Sequence, residues 1–356
     1  MEVATREVET TPAETMQALV FTAIRKMELQ TTPTPRLTAP DDVLVRVRAV
    51  GVCGSDLHGY TGQSGRRTPP MIMGHEAAGE VAAVGPAVTT IKPGDRVAIQ
   101  PVRFCGQCVF CREGKASLCA NRQVLGVHQA AGGAYAEWLV WPARCLFPMP
   151  KGMTYEQASF CEPLAVCLHA LRLADIKPYD SVALVGSGPI GLLTLAILRT
   201  MGLRQVFVSD VSDDRLAVAR TLGASVTINP TRDNPRAVVE AHTDGLGADV
   251  SIEAVGLGVT AQQAIDVTKN GGTVVWIGNN MREIQIDMQS VVTRELRVQG
   301  TYAMNDLDFG RALGMLASGA VDIGPLLSQT ATLAEGPTLF EDLLRAPQVI
   351  KCVILP

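Results

Sequence analysis

Ser181-Val182-Ala183-Leu184-Val185-Gly186-Ser187-Gly188-Pro189-Ile190-Gly191-Leu192 is the stretch that decides the fold. Ser181 to Val185 reads as a short buried strand, and Pro189 to Met201 as a helix. Between them lies a G-x-G-x-x-G turn. The string alone is weak, because glycine turns are common. Its context is specific: strand before, helix after, and an acidic residue, Asp210, closing the next strand candidate, Gln205 to Asp210. Gly186 permits the tight turn, Gly188 lets backbone approach a pyrophosphate, and Gly191 lets the helix pack on the sheet. Pro189 and Ile190 complete the turn, whose helix start offers free N–H groups to phosphates. Asp210 is placed to accept from a ribose 2′-hydroxyl and to repel a 2′-phosphate. Val211 and Ser212 bring no arginine to offset it, although Arg215 lies one turn on. The pattern predicts a dinucleotide site preferring NAD to NADP; the plainer alternative is a glycine turn beside a surface aspartate.

Downstream, Asp213 to Leu222 and Thr260 to Lys269 read as helices. Ser225 to Ile228, Ala248 to Glu253 and Thr273 to Ile277 read as strands. Strand alternating with helix implies a parallel, doubly wound sheet. Upstream, from Ala18 to about Pro150, the texture is different: Val43, Val45 and Val47 alternate with Leu44, Arg46 and Arg48, and Glu80 to Val84, Asp95 to Pro101 and Tyr135 to Val140 are short runs bounded by Gly or Pro. This half is expected to be β-rich. The last fifty or so residues lose the alternation and are expected to fold back on the first half. No internal repeat is visible.

The 356 residues correspond to about two domains. With 47% hydrophobic and 19% charged residues, the chain has material for packed cores. The 31 basic and 35 acidic side chains leave a net charge of −4, which argues against a nucleic-acid partner. Residues 1–16, rich in Glu and Thr and without an apolar stretch, are expected to be a disordered tail and not an export signal. Ser181 to Leu198, 18 uncharged residues, is cut by Gly186, Gly188, Pro189 and Gly191, so no membrane span is expected. A soluble, cytoplasmic protein is expected.

Of nine cysteines, Cys105, Cys108, Cys111 and Cys119 are spaced C-x2-C-x2-C-x7-C. Without an export signal, thiols stay reduced and such a cluster reads as metal ligation. Four thiolates close a tetrahedral structural zinc site; an iron–sulfur cluster is the competitor. Cys53 lies in Gly51-Val52-Cys53-Gly54-Ser55-Asp56-Leu57-His58, and His75 and Glu76 in Gly74-His75-Glu76. Taken singly, a core cysteine and a surface His–Glu pair explain these as well, and spacing alone does not join them.

Five motifs occur in one order across essentially the whole chain from Ala18: Cys53-Gly54-Ser55-Asp56, Gly74-His75-Glu76, the four-cysteine loop, Glu162-Pro163-Leu164 and the glycine fingerprint. In this the chain resembles the zinc-containing medium-chain dehydrogenases, and among them the polyol (sorbitol-type) dehydrogenases. The resemblance implies an α/β plus β-rich architecture: a GroES-like catalytic domain over 17–165 completed by 301–356, and a doubly wound Rossmann NAD-binding domain over 166–300. It implies that Cys53, His75 and Glu76 hold a catalytic zinc, with Glu162 binding directly or through water and Cys161 as the alternative ligand. Asp56 resembles the carboxylate that holds a ligating imidazole. Ser55 and His58 resemble a proton relay, or else cap a turn. Val255, Ile277, Gly278 and Tyr302 join the cofactor site.

The implied reaction is the reversible, zinc-dependent and NAD-dependent oxidation of a secondary hydroxyl of a polyol to the ketose. The alternative is a smaller secondary alcohol, a vicinal diol or L-threonine, although threonine-type relatives tend to have Asp-Pro-Phe where Glu162-Pro163-Leu164 stands. A non-catalytic relative would lack a ligand, and none is lost. Two departures touch the substrate: Gly59 follows His58 where sorbitol dehydrogenases commonly have an aromatic residue, and Thr301-Tyr302-Ala303-Met304, after Arg294-Glu295, lacks their arginine. Tyr60, Met71, Met73 and Trp138 could line the pocket or belong to the core. A homotetramer or homodimer is expected.

Overall fold

Apolar runs with no polar face must be covered on both sides, and the second half of the chain follows that rule. In the computed structural model, which describes residues 13–346 and 348–356, Val182–Val185 is buried along its whole length. It lies at the centre of a six-stranded parallel sheet. The order is Val226–Ile228, Val206–Ser209, Val182–Val185, Ala248–Glu253, Thr268–Trp276 and Arg297–Gly300. The chain builds outward from Val182–Val185 in one direction, then returns to its other side with Ala248–Glu253. A crevice opens where the order reverses, at the carboxyl ends of these two strands.

Helices Pro189–Thr200, Asp213–Thr221 and Gly258–Val267 stand where the sequence pattern predicts them, except that Thr268 and Lys269 open strand Thr268–Trp276 instead of closing the last helix; Pro235–Ala241 and Met288–Val292 are helices it does not predict. Ser181 to Leu198 is accordingly divided into strand and helix. Among the described residues, no helix is long and apolar enough to cross a membrane.

The first half is β-rich, as expected. Its main sheet runs Leu146–Pro148, Arg96–Ile99, Glu76–Val84, Asp42–Gly51, Lys351–Leu355 and Leu327–Thr332, with Trp138–Pro142 also pairing to Asp42–Gly51. A smaller sheet joins Lys26–Pro33, Thr15–Ala23 and Met71–Ile72. The C-terminal strand does fold back: Val353 pairs with Gly51 and Ile354 with Val50, antiparallel. The expectation of a tail through residue 16 needs correction at its end. Residues 1–12 lie outside the described residues, but Thr15–Ala23 is a strand and Met16 is buried on it against Ala18, Val20 and Ala136. Its alternate apolar positions outweigh the polar Thr15 and Gln17 beside them.

Helix Cys161–Ala174 packs against both Pro189–Thr200 and Asp306–Ala317. Through it one apolar core runs from Ala49 and Ala78 of the first sheet to Val182 and Ile252 of the second. Substituting Ile354, buried on the returning strand, tests how far the first half depends on the C-terminus. Ile354→Ala is expected to cost about 2–5 kcal/mol, read as a lower urea midpoint of the fluorescence of Trp141, which is buried in the same core.

Candidate active site and metal centres

Strand Asp42–Gly51 ends two residues before Cys53, and Gly51 pairs with Glu76 at the start of the neighbouring strand. That register places Cys53 next to His75 and Glu76. Their ligand atoms all lie within 4.8 Å of one another. His75 and Glu76 are buried and Cys53 is half-buried. A thiol, an imidazole and a carboxylate converging in this way form a donor set suited to zinc.

Behind the imidazole sits Asp56, whose Oδ1 is 3.5 Å from His75 Nδ1. With Nδ1 turned to the carboxylate and making no hydrogen bond of its own, Nε2 is the nitrogen left for a metal. Asp56 also accepts from Arg67 Nη2 at 2.6 Å and from the Tyr135 hydroxyl at 2.8 Å. Burial alone would raise the Asp56 pKa, but His75 and Arg67 together hold it well below the usual carboxylate range. Lys351, on the C-terminal strand, forms an ion pair with Glu76, and both side chains are only 1% exposed.

Glu162, in the first turn of Cys161–Ala174, faces the same cavity but does not join the set of three; burial pushes its carboxyl up to about 7. Cys161 turns the other way, donating to the Phe309 carbonyl at 3.4 Å from a fully buried position. Ser55 donates its hydroxyl to Cys53 Sγ at 3.3 Å. His58 Nδ1 lies 3.3 Å from Gln63 Oε1, and burial shifts the imidazole below its ordinary pKa.

A second donor set lies apart from this cavity. Cys105, Cys108, Cys111 and Cys119 bring four Sγ atoms within 4.8 Å of one another, with Cys108 and Cys111 at 3.4 Å. The turn Val109–Arg112 places two of the thiols on one side. Four thiols and no other donor make a closed site, as structural zinc requires.

The cavity holding Cys53, Ser55, His58, His75, Glu76 and Glu162, about 270 Å³, is also lined by Gly188, Pro189, Ile190, Val255, Ile277 and Gly278 of the nucleotide half and by Tyr302, just beyond its last strand. The fingerprint glycines have the geometry their roles require. Gly186 has φ +100°. A Cβ on Gly191 would lie 1.9 Å from the Gly186 carbonyl oxygen, whereas one on Gly188 would meet open space, where a pyrophosphate can approach. Asp210, immediately after strand Val206–Ser209, is buried, its two oxygens accepting from the Ser187 and Ser212 N–H groups at 2.7 and 2.9 Å. Arg215 lies beyond it on Asp213–Thr221. Gly186, Gly191, Asp210 and Arg215 are outside the cavity lining, behind the turn.

Of the residues left open between pocket and core, Tyr60, Met71 and Met73 are buried in the core of the first half and Trp138 packs against the Met16 cluster. Sequence reasoning missed Arg67, Lys351 and Tyr135. The signal for Lys351 was present: a single charge within the apolar run Val349 to Leu355.

Comparison with known proteins agrees with this geometry. Residues 39–151 match the alcohol dehydrogenase GroES-like domain, and residues 189–318 match the zinc-binding dehydrogenase family. D-xylulose reductase A of Aspergillus oryzae is 33% identical over 96% of this chain and 98% of its own. Sorbitol dehydrogenase of Bacillus subtilis is 32% identical over 97% and 99%. A crystal structure of a zinc-binding dehydrogenase from Sinorhizobium meliloti 1021, bound to NADP, superposes with a TM-score of 0.86 at 33% identity, covering 97% of this chain and 100% of that one. With both domain types and both donor sets present, the chain belongs to the zinc-binding medium-chain dehydrogenases, in their polyol dehydrogenase family.

Proposed function

We propose that the protein oxidises a secondary hydroxyl of a polyol to the ketose, reversibly, and with NAD in preference to NADP. One observation carries the reading: a single cavity has the Cys53–His75–Glu76 donor set on one wall and the dinucleotide turn on the other. Relatives named for D-xylulose and sorbitol support a polyol as substrate. The apolar wall of Val102, Val124, Val127 and Val166 favours a second reading, a shorter secondary alcohol or vicinal diol.

In this assignment Cys53, His75 and Glu76 would hold the catalytic zinc, with Glu162 binding it directly or through water, while Cys105, Cys108, Cys111 and Cys119 would hold the structural zinc. Bound zinc supplies Lewis-acid polarisation of the substrate oxygen, and bound NAD supplies the hydride acceptor. The protein's own groups handle the proton. Ser55, beside Cys53, is the first acceptor in reach of a substrate hydroxyl. His58, kept neutral by burial, passes the proton toward solvent. Asp56 and Arg67 keep His75 and Ser55 in place. Gly188, Pro189, Ile190, Val255, Ile277, Gly278 and Tyr302 position the cofactor, and Asp210 receives the ribose hydroxyls.

Oligomeric state and compartment belong to the same proposal. Strand Arg297–Gly300 pairs on one side only and lies near the exposed Met288 and Val292, which supports a homodimer or homotetramer. Nine free cysteines support a reducing, cytoplasmic setting.

The deciding experiment is NADH formation at 340 nm with sorbitol, xylitol, galactitol, 2,3-butanediol, 2-propanol and L-threonine. Turnover of the long polyols is expected; turnover confined to the short alcohols would replace the polyol by the second reading. Elemental analysis is expected to find two zinc ions per chain, with Cys53→Ser and Cys111→Ser each losing one. Only Cys111→Ser should also lower the melting temperature substantially, because a structural site contributes directly to folding. For Asp210→Ala, KM for NAD is expected to rise roughly tenfold, the loss of a charged hydrogen bond of about 1.5–3 kcal/mol, while KM for NADP rises less.

A further inference from the structure

Tyr302 stands in a thin wall between two cavities. With Thr301 it lines the catalytic cavity on one side and a second cavity, of about 770 Å³, on the other. The second cavity lies against the four-cysteine loop, with Cys111 and Ser117 in its lining, and extends to His169 of helix Cys161–Ala174. A ring with a cavity on each side lacks the close packing that holds most core side chains in one position. The backbone beside it is strained as well. Ala303, which also lines the catalytic cavity, has φ +56°, in the left-handed region that a residue with a Cβ avoids. Such a conformation persists only where neighbouring contacts over-determine it.

Arg122 supplies a contact of that kind. Its guanidinium carbon lies 5.1 Å from the centroid of the Tyr302 ring. Arg122 lines neither cavity, so it holds the ring from outside the space that a ligand would fill. The arginine is itself fixed: its backbone N–H and its Nη1 both donate to the carbonyl of Cys119, at 3.2 and 3.1 Å. Among the described residues it forms no ion pair that would draw its charge away from the ring. Cys119 closes the four-cysteine set, and Val124, two residues beyond Arg122, lines the catalytic cavity. The contact therefore ties the four-cysteine loop to the segment that follows strand Arg297–Gly300.

We infer that Arg122 is a positioning residue for the cofactor: through a cation–π contact it fixes Tyr302 as the wall against which the bound dinucleotide rests. The attraction of a guanidinium for an aromatic face persists at partly exposed sites, and so it suits a ring that packing alone leaves free to turn. The inference rests on the assignment of Tyr302 to the cofactor site made above, and adds what holds the ring there.

A double-mutant cycle tests it, read by the affinity for NADH from quenching of intrinsic fluorescence, which needs no substrate. Arg122→Gln and Arg122→Met both remove the charge; the second keeps an apolar stem over the ring, so one variant remains if the other folds poorly. Each is made in the wild type, in Tyr302→Phe, which keeps the ring, and in Tyr302→Leu, which removes it. Zinc content and melting temperature confirm that each variant is assembled. Loss of the Arg122 charge is expected to raise Kd for NADH about fivefold in the wild type and in Tyr302→Phe. In Tyr302→Leu, whose own Kd is already raised, it is expected to change nothing further. KM for NAD should follow Kd, with kcat altered less. An equal rise in all three backgrounds, or a rise in none, gives Arg122 a purely structural role and overturns the inference. If Tyr302→Leu binds NADH as tightly as the wild type, the assignment of Tyr302 to the cofactor fails and the inference with it. If the zinc-loaded wild type does not bind NADH, the dehydrogenase reading itself fails.

Discussion

A carboxylate with no access to water is the constraint on which this active site depends. Asp56 is fully buried, and a buried charge is tolerated only when paired and hydrogen-bonded. Arg67, His75, Tyr135 and the Cys53 N–H supply those partners from three stretches of chain besides its own. Each partner is placed by the need to satisfy Asp56, and the Cys53–His75–Glu76 donor set follows: the imidazole turns Nδ1 toward the carboxylate, and Ser55 is held beside the thiol. The packing extends outward from there. Tyr135 lies edge-on to Phe340 at 5.9 Å, and Phe340 packs on Tyr60 at 5.2 Å, so helix Gly336–Arg345 is tied to the same cluster.

A second buried pair does the corresponding work for the C-terminus. Lys351 meets Glu76 where the last strand joins the first sheet, and so the end of the chain completes a site begun near residue 53. The nucleotide half approaches from the opposite side, at the crevice where its strand order reverses. Helix Cys161–Ala174, packed on both halves, carries Glu162 into the space between them. The candidate site lies at this junction because the donor residues and the glycine turn each have their own scaffold and line one cavity.

Much of this was legible in the residues. The parallel strands read as apolar runs because both faces are covered, and the dinucleotide turn read as glycines because the close approach of Gly191 to Gly186 excludes a side chain. The sixth strand, Arg297–Gly300, was not legible: at the sheet edge its residues are partly exposed and polar, so no apolar run marks it. Met16 reads as tail because Thr15 and Gln17 flank it, although on the strand it shares a buried face with Ala18 and Val20. Helix Cys161–Ala174 carries a proline at its third position, which suits a helix start but reads as a breaker in a string. Between Glu162 and Cys161, adjacent in sequence, only the direction of each side chain shows which faces the cavity.

The sequence by itself determined the order of the two halves, the four-cysteine set and the dinucleotide turn, because each is written in local spacing: strand and helix periods, thiols two residues apart, glycines where backbone must pass close; Cys53, His75 and Glu76 are joined in the sequence only by resemblance to a family. The tertiary structure alone decided which distant residues meet. Arg67 packs on Gly59, Lys351 arrives from the far end of the chain, and Tyr135 reaches Asp56 from 79 residues away. Such contacts have no period and no motif. They arise because burying a charge creates a demand for a partner, and only the packed chain determines which residue is near enough to meet it.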